Sequence, residues 1–560
     1  MGVSGVPGVP GVSGVPDVPG ENQATLGDFL TLPAPDPEAA GLGPEIAAAA
    51  AAREPAEIHG NAFGDANLDG FVAPTTSAGG AAFLARLLRS PSRCPEEIRE
   101  RQRAVAGSPD EERRARAVRA FFAGANGGGT ESAVLWVLRL AREEGEAQHA
   151  APAAMDQWPL NMLFFRSWPL RFLNDSNTAL RANHVTQCYL TPASMVAMPA
   201  VAVVAPYLYM RFRLGLPLTV SAYLRVMRAV VRRLMQQSDV SWLSIAVWLV
   251  FFLGGVVQVV QNARNLDAAH RECVRRAATV NDLIAAVGAP RAYPGGLLGL
   301  RRMVRDPAPA RAALLAAYRA DALAAVRARV SDGTLAPVAV GGETRIAGLG
   351  HPALPRDTQV RNPCDLSRGM VVTGPNASGK STYARAVLCA TLMAQAVGHA
   401  CVAPGARACV VPFATVHSHM RVEDRMGDAS LFQTELALCK HVLASAAAAR
   451  ASGRRTAVFM DEPFHSVSPD VGDAIAQAFL RRFADLGATV VVTSHYPGVA
   501  RAAPGNVVGF QVGAAPEPGA PVVFSYRLSC GRSGESVVLD MIRDETDATV
   551  LGYARAALAA

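Results

Sequence analysis

Apolar residues after about residue 75 recur at helical spacing. Phe83, Leu84, Leu87 and Leu88 repeat at three- and four-residue intervals, which places them on one face of a helix. Pro95 is followed by two glutamates, as is typical of a first helical turn, where acidic side chains lie at the positive end of the helix dipole. The pattern therefore predicts an α-helical region over residues 61–184.

Two long stretches then carry no charged side chain. Residues 185–210 lack charge over 26 positions, although three prolines interrupt them, and residues 240–260 lack charge over 21 positions. A helix of about 20 residues crosses the roughly 30 Å of hydrocarbon in a bilayer. Together the stretches predict a transmembrane hairpin over residues 185–260. The alternative is a helix buried at the centre of a helical bundle.

The remaining parts of the chain have other patterns. Residues 1–60 begin with a Gly-Val-Pro/Ser repeat and continue rich in alanine and proline, which predicts a disordered tail. A helical connector is expected over residues 261–330. Glycine-rich and β-branched sequence follows and predicts an α/β domain over residues 331–545, with residues 546–560 as a C-terminal tail.

Charge says little about partners but draws attention to one residue. The formal net charge is +7, and of the 54 basic residues only Lys380 and Lys440 are lysines. The mild and dispersed surplus of arginine is weak evidence for a nucleic-acid partner. A lysine kept inside a glycine-rich loop, at Lys380, indicates a need for a compact ammonium group there.

The nine cysteines are scattered singly, and no two form a Cys-x-x-Cys pair. This odd count without ligand spacing argues against a zinc site or a disulfide framework. The cysteines are expected to be small apolar residues in a reducing compartment.

The segment from Gly374 to Ser381 fits the phosphate-binding pattern Gly, four residues, Gly-Lys-Ser. It follows an expected strand, residues 370–373, and opens an expected helix, residues 382–393, which is the context that the motif requires. Backbone N–H groups of such a loop hold phosphates, Lys380 neutralises the β- and γ-phosphates, and the Ser381 hydroxyl binds magnesium. The residues expected to hold the nucleotide are Gly374, Pro375, Asn376, Ala377, Ser378, Gly379, Lys380, Ser381 and Thr382.

Two further strand ends carry candidate catalytic groups. An apolar run from Thr456 ends in Asp461 and Glu462, where the aspartate would hold magnesium through water and the glutamate would polarise the attacking water. Another apolar run, residues 488–493, ends next to His495, which is expected to reach the γ-phosphate or the attacking water. Taken separately, the acids could be surface groups and the histidine could be structural.

Ser430 precedes an expected helix over residues 431–449 and can cap it. In dimerising ATPases of the ABC type, a serine at this place reaches the γ-phosphate held by the partner subunit. As a lone feature, Ser430 is only a helix cap.

These motifs resemble those of the MutS family of mismatch-repair ATPases. Gly374-Pro-Asn with Gly-Lys-Ser-Thr-Tyr383 is similar to the family's phosphate loop, and Ser430-x-Phe432-x-x-Glu435 is similar to its signature helix. Thr493-Ser-His-Tyr496 resembles its Thr-His-Tyr switch. The resemblance implies an ABC-type P-loop ATPase that uses ATP and Mg²⁺, forms a homodimer through its ATPase domains and acts on double-stranded DNA. It also implies that Val360 lies near the adenine.

Other features depart from the family. None of the 20 phenylalanines is followed two residues later by glutamate, so the family's Phe-x-Glu mismatch reader has no counterpart. Three hypotheses follow: a MutS-like ATPase acting on DNA, a membrane-anchored mechanical ATPase with the same catalytic machinery, or a nucleotide-binding scaffold without hydrolysis. Intact Glu462 and His495 argue against the third.

The membrane hypothesis contains a conflict of topology. Residues 211–239, between the two apolar stretches, carry six arginines and one aspartate. The positive-inside rule places such a segment in the cytoplasm, which would put both termini and the ATPase outside. The working model is a hairpin with a cytosolic ATPase, and the alternatives are that only one stretch spans or that neither does.

Overall fold

A computed structural model provides the fold. It describes residues 34–68, 74–124, 129–149, 163–165, 168–237, 242–420, 431–502, 505–512 and 524–533, with residues 549, 550, 553 and 556. The chain divides into two compact units, which we call the helical unit and the sheet unit. Among the described residues, the helical unit contains residues 140–279 and 293–307, and the sheet unit contains residues 34–139, 280–292 and 308 onwards.

The helices of the described residues are numbered in chain order. They are α1 (Gly43–Ala50), α2 (Ala62–Asp65), α3 (Ala78–Leu88), α4 (Pro95–Ala106), α5 (Pro109–Ala123), α6 (Gly129–His149), α7 (Asn177–Val185), α8 (Thr191–Leu208), α9 (Val220–Gln237), α10 (Trp242–Ala286), α11 (Gly296–Arg305), α12 (Ala308–Ser331), α13 (Lys380–Val397), α14 (Leu431–Ala451), α15 (Pro469–Asp485) and α16 (Pro497–Ala502). A 3₁₀ segment covers Trp168–Asp175, and π-helical turns cover Thr186–Leu190 and Tyr209–Arg213.

The strands belong to the sheet unit. They are β1 (Glu57–Gly60), β2 (Ala336–Pro337), β3 (Ala339–Val340), β4 (Arg345–Leu349), β5 (Asn362–Asp365), β6 (Met370–Thr373), β7 (His399–Ala400), β8 (Ala408–Val410), β9 (Thr415–His419), β10 (Thr456–Asp461), β11 (Thr489–Thr493), β12 (Asn506–Val512) and β13 (Phe524–Cys530). Within the described residues they form a seven-stranded sheet of order β1-β9-β10-β11-β6-β12-β13 and smaller sheets of order β3-β8-β4-β5 and β2-β7.

The large sheet is parallel except for its last strand. β1, β9, β10, β11, β6 and β12 pair in parallel, and β13 pairs antiparallel with β12. The central strands β6, β10 and β11 are nearly continuous apolar runs, as is typical of parallel sheets that are covered on both faces. Val458 and Val492 pack with Phe464, Leu480 and Phe483 in one buried cluster. This mixed sheet agrees with the α/β architecture expected for the C-terminal part.

The N-terminal segment differs from the expected tail. Residues 1–33 lie outside the described residues, but Gly43–Ala50 is a helix and Glu57–Gly60 is an edge strand paired with β9. Leu42 and Ile46 are buried apolar side chains within this alanine-rich segment. The pairing of β1 with β9 is a contact between parts of the chain distant in sequence, which no local pattern indicates.

The helical part of the sheet unit has a buried polar anchor. Phe83, Leu84, Leu87 and Leu88 are all buried, as their spacing predicts. At the start of the same helix, the Asp321 carboxylate accepts hydrogen bonds from the backbone N–H and hydroxyl groups of Thr76 and Ser77, at 2.6–3.1 Å. Asp321 is fully buried, so these donors replace the water that its charge has lost.

The helical unit contains two helices that are long and apolar enough to cross a membrane. They are Asn177–Arg213 and Ala246–Ala286, and only 11% and 6% of their most apolar windows are buried. Length and composition alone are weak evidence for a membrane span. The exposure of these helices, however, tests the alternative of a helix buried in a bundle. The alternative of a helix buried in a bundle is wrong for these residues, because side chains such as Phe251 are exposed.

The prolines in the first apolar stretch do not end the helix. Pro199 and Pro206 lie inside α8, and π-helical turns flank it. Proline removes one intrahelical hydrogen bond, and the wider π turns are common places where a helix accommodates such a disturbance.

The Asp321 anchor gives a stability prediction. We expect Asp321→Ala to lower the free energy of unfolding by about 3–5 kcal/mol, because it leaves buried N–H and hydroxyl donors without an acceptor. Urea unfolding of the full chain followed by circular dichroism measures the change. The exposed Asp485→Ala is the matched control and should change stability by less than about 0.5 kcal/mol. Equal stability of the two variants would contradict the assignment.

Candidate active site

Three neighbouring strands bring the candidate residues to one edge of the sheet. β10 pairs in parallel with β11, with Asp461 opposite Thr493, and β11 pairs in parallel with β6, with Thr493 opposite Val372. Carboxyl ends of parallel strands lie at the same edge, where open α/β sheets hold their ligands. The glycine loop, the two carboxylates and His495 therefore meet at this edge.

The loop between β6 and α13 is shaped by backbone conformations that favour glycine. Gly374 has φ 149° and Gly379 has φ 101°. A Cβ at Gly374 would lie 2.8 Å from Ser378 Oγ and 3.1 Å from Phe510 Cβ, so a side chain does not fit there. Ser378 Oγ is buried and has no hydrogen-bond partner among the described residues. A tight loop leading into a helix N-terminus with a spare buried hydroxyl fits a bound phosphate.

Lys380 lies at the centre of the site. Its side chain is 5% exposed, and Nζ lies 3.1 Å from the Pro375 carbonyl oxygen, 3.0 Å from His495 Nε2 and 3.5 Å from Glu462 Oε1. Burial lowers the pKa of Lys380, and the Glu462 carboxylate opposes that effect. A buried ammonium group beside a glycine loop is a strong local attractor for anions.

His495 connects the lysine with the loop and with Glu462. Its Nε2 lies 2.9 Å from Glu462 Oε1 and 2.8 Å from Asn376 Oδ1. Because one ring nitrogen either donates or accepts, Nε2 donates to these oxygens in one tautomer and accepts from Lys380 in the other. The hydrogen bond from His495, followed by the charge of Lys380, holds the pKa of Glu462 below its usual value. Glu462 is therefore a carboxylate at neutral pH.

Ser381 and Asp461 place two oxygen atoms beside the loop. Ser381 Oγ donates to Asp461 Oδ1 at 3.0 Å, and Thr493 Oγ1 donates to the same oxygen. Hydroxyl and carboxylate oxygens are the ligands that Mg²⁺ prefers. The donor set fits a magnesium ion, and the hydrogen bond from Thr493 orients the Asp461 carboxylate.

The backbone after Asp461 is held in an unusual conformation. Glu462 has φ 46°, and its N–H donates to the carbonyl oxygen and to Oγ1 of Thr493, both at 3.1 Å. This turn points the chain away from β10 directly after the second carboxylate. Positive φ in a residue other than glycine costs on the order of 1 kcal/mol and often occurs at functional sites.

The helix α14 is tied to the segment after the carboxylates. Glu435, 5% exposed, accepts hydrogen bonds from Phe464 N and Ser466 Oγ, each at 2.9 Å. Tyr496 Oη donates to the Phe464 carbonyl oxygen at 2.9 Å. Sequence reasoning gave no role to Ser466, and only a motif match to Glu435, Thr493 and Tyr496. Their contacts join residues about 30 positions apart, and no local pattern indicates them.

A cavity of about 290 Å³ opens beside the loop. Val360 lines it together with Leu354, Tyr383, Phe510 and Tyr526. Apolar and aromatic walls of this kind suit a flat heteroaromatic ring. Val360, which the resemblance places near the adenine, lies in the wall of this cavity.

The structure brings together all the expected site residues except one. Lys380, Ser381, Asp461, Glu462 and His495 lie at one sheet edge. Ser430 lies outside the described residues, and α14 begins directly after it.

Comparison with known proteins identifies the domain that carries this site. A family model described as MutS domain V matches residues 370–556. Endonuclease MutS2 of Thermomicrobium roseum is 31% identical over 206 residues, which cover 36% of this chain and 24% of the relative. A DNA mismatch repair protein MutS of Synechococcus sp. is 33% identical over 194 residues, covering 34% of this chain and 20% of the relative.

The similarity is thus confined to one part of longer proteins. DNA mismatch repair protein MutS 2 of Halobacterium salinarum is 31% identical over 208 residues, which are 36% of this chain and 23% of the relative. The chain spans about a quarter or less of the curated relatives that it matches. Residues 370–556 thus match MutS domain V, and over this part the chain is similar to MutS and MutS2 proteins.

Proposed function

We propose that this chain binds and hydrolyses ATP at the site around Lys380, with the fold of an ABC-type P-loop ATPase domain. The observation that carries the proposal is the convergence of a glycine loop, a buried lysine, a serine–aspartate pair and a glutamate–histidine pair at one sheet edge. Similarity to proteins named endonuclease MutS2 and DNA mismatch repair protein MutS also supports a MutS-like ATPase.

Phosphate binding is the first step. Backbone N–H groups of residues 376–379 and the N-terminus of α13 offer donors to the phosphate oxygens. Lys380 Nζ, 3.5 Å from Glu462 Oε1, would exchange that carboxylate for a phosphate oxygen. The buried position of the lysine makes the new pair strong, because little water competes for either charge.

Magnesium is the expected cofactor. A bound Mg²⁺ would neutralise charge on the β- and γ-phosphates. Ser381 Oγ and Asp461 Oδ1, 3.0 Å apart, would hold it, the aspartate through water. Thr493 keeps the Asp461 carboxylate turned towards the loop.

Hydrolysis needs a base and a group that positions the water. Glu462, released from Lys380, would accept a proton from the attacking water. At the same time the water oxygen bonds to the γ-phosphorus, and the bond between the γ-phosphorus and the β–γ bridging oxygen breaks. His495 contacts Glu462 and the loop residue Asn376, which places it to orient the carboxylate and to donate to a γ-phosphate oxygen. The products are ADP and phosphate.

The biological output is a second level of the proposal. We infer a homodimer in which Ser430 of one copy completes the site of the other, acting on double-stranded DNA. Support comes from the family and from α14, which begins at Leu431 and is tied by Glu435 to the segment after the carboxylates. Movement of α14 is thereby linked to the residues next to Glu462.

A membrane-anchored mechanical ATPase is the second candidate. The exposed apolar helices favour it, since windows only 11% and 6% buried leave a large apolar surface in contact with the surroundings. Monomeric soluble proteins rarely expose continuous patches of this size. In this alternative the hairpin anchors the chain and the same ATPase site drives a mechanical change.

Replacing the buried lysine tests nucleotide binding. We expect Lys380→Met to weaken ATP binding by about 10- to 100-fold, because it removes a charge-assisted contact and keeps most of the side-chain volume. Equilibrium titration with MgATP measures the affinity. Lys440→Met, in an exposed position, should bind as the unmodified chain does. Unchanged affinity in Lys380→Met would contradict the assignment of the loop.

Replacing the proposed base separates binding from hydrolysis. We expect Glu462→Gln to bind ATP with unchanged affinity and to lose about 10²- to 10⁴-fold in turnover, since the amide has the same shape but accepts no proton. Phosphate release measures turnover, and light scattering should detect an ATP-bound dimer that accumulates. The exposed Asp470→Asn is the control. Normal turnover in Glu462→Gln would exclude Glu462 as the base.

Membrane and DNA roles can be separated in one preparation. The DNA proposal predicts that matched or mismatched duplex raises ATP turnover of the full chain and that the chain stays in the supernatant after cell lysis and ultracentrifugation. The membrane candidate predicts sedimentation with membranes that resists high salt and alkaline carbonate but not detergent, with no stimulation by duplex. Protease protection of tagged termini then shows which side holds the ATPase.

A further inference from the structure

A cluster of histidines lies on one face of the sheet, separate from the residues that hold the nucleotide. His59 on β1 and His417 on β9 are direct register partners on parallel strands. His419 lies two residues after His417, so the two share a face of the sheet. His441 on α14 contacts the rings of both His59 and His417 edge to face, with centroids 4.8 and 5.5 Å apart.

The nitrogen atoms of this cluster are already close to coordination distance. His59 Nδ1 lies 3.4 Å from His441 Nε2. One ring nitrogen each from His59, His417 and His441 can be chosen so that all three lie within 4.8 Å of one another. Tetrahedral zinc with Zn–N bonds of about 2.0–2.1 Å requires ligand nitrogens about 3.3–3.4 Å apart. Coordination requires the remaining nitrogen–nitrogen distances to shorten into this range.

His417 has the hydrogen bonding of a metal ligand. It is fully buried, and its Nε2 lies 3.0 Å from Ser445 Oγ. Its Nδ1 is also buried and has no hydrogen-bond partner among the described residues. When Nε2–H donates to Ser445, Nδ1 carries an unshared lone pair, and ligating histidines are commonly oriented through their other nitrogen in this way.

A carboxylate beside the cluster also suits a cation. Glu57 Oε2 lies 3.9 Å from His59 Nε2.

Ring movement needed for coordination falls on the accessible members. The His59 and His417 rings are stacked, with centroids 4.6 Å apart and planes at 12°, so their lone pairs run side by side. His59 is half-buried and His441 is exposed, whereas Ser445 holds His417. Coordination would therefore require the side chains of His59 and His441 to turn towards His417.

We propose that His59, His417 and His441 form a binding site for a late first-row divalent cation, with Zn²⁺ as the ion of first choice. Three imidazoles with water in the fourth position form a recurrent zinc ligand set, and imidazole also suits cobalt and nickel. The inference is independent of the proposed ATPase activity.

Such an ion would join three parts of the chain. β1 comes from the N-terminal segment, β9 ends at His419, and α14 begins at Leu431. The ion would fix β1 to the sheet and link the strand before residues 421–430 to the helix after them. It would therefore stabilise both flanks of the segment that includes Ser430.

Titration of the full chain with cobalt and zinc tests the proposal. Chain stripped with a chelator and kept in excess Mg²⁺ is titrated with Co²⁺, followed by visible absorption, and Zn²⁺ is then used to displace the cobalt. We expect one tight site with the absorption of a tetrahedral or five-coordinate ion. We also expect Zn²⁺ to slow hydrogen exchange in β1 and to raise the thermal unfolding midpoint.

Ligand variants locate the site. His59→Gln and His441→Gln should each weaken the affinity at least about tenfold, and neither residue is fully buried, so folding should persist. Lys440→Gln, next to His441 on α14, is the matched control and should bind as before. A second group, His184, Cys188 and Asp267, is the other possible location for an ion, so His184→Gln is titrated in parallel.

Two results would overturn the proposal. One is the absence of a tight Co²⁺ or Zn²⁺ site in the unmodified chain. The other is unchanged affinity in both His59→Gln and His441→Gln, including the case in which only His184→Gln loses the ion. ATP binding is measured on the same variants, so that failure of the metal-site proposal can be told apart from failure of the ATPase proposal.

Discussion

Parallel pairing of β6, β11 and β10 is the constraint on which the proposed chemistry depends. It fixes Asp461 beside Thr493 and places both at the edge where the glycine loop leaves β6. Any slip of register by one residue would turn these side chains to the opposite face. The valine-rich interior of the three strands, buried against helices on one face in a cluster with Phe464 and Phe483, makes such a slip costly.

Electrostatics at this edge centres on a single buried ammonium group. Lys380 contacts a carbonyl oxygen, a histidine and a carboxylate, and each of these partners belongs to a different motif of the sequence. Phosphate is a stronger partner for Lys380 than Glu462 is, since it carries more charge and more acceptor oxygens. If Lys380 exchanges its contact with Glu462 for a contact with phosphate, nucleotide binding would free Glu462 to act as the base.

Local features of this fold were predictable, and long-range features were not. The strand before the loop and the helix after it follow from a local motif, and the buried face of α3 follows from the spacing of Phe83 and Leu87. β1 was missed because a four-residue edge strand is stabilised by backbone pairing with β9, more than 350 positions away. The Glu435 contacts and the histidine cluster were missed for the same reason. The apolar helices were predicted, but sequence alone did not reveal that they are exposed.

The partner exchange of Lys380 is the central claim, and a structure of the full chain with Mg²⁺ and a non-hydrolysable ATP analogue tests it most directly. The account predicts a γ-phosphate oxygen within hydrogen-bonding distance of Lys380 Nζ, with the contact between Lys380 and Glu462 broken. It also predicts the adenine in the cavity lined by Val360. A nucleotide bound elsewhere, or a Lys380–Glu462 distance that stays at 3.5 Å, would contradict the account.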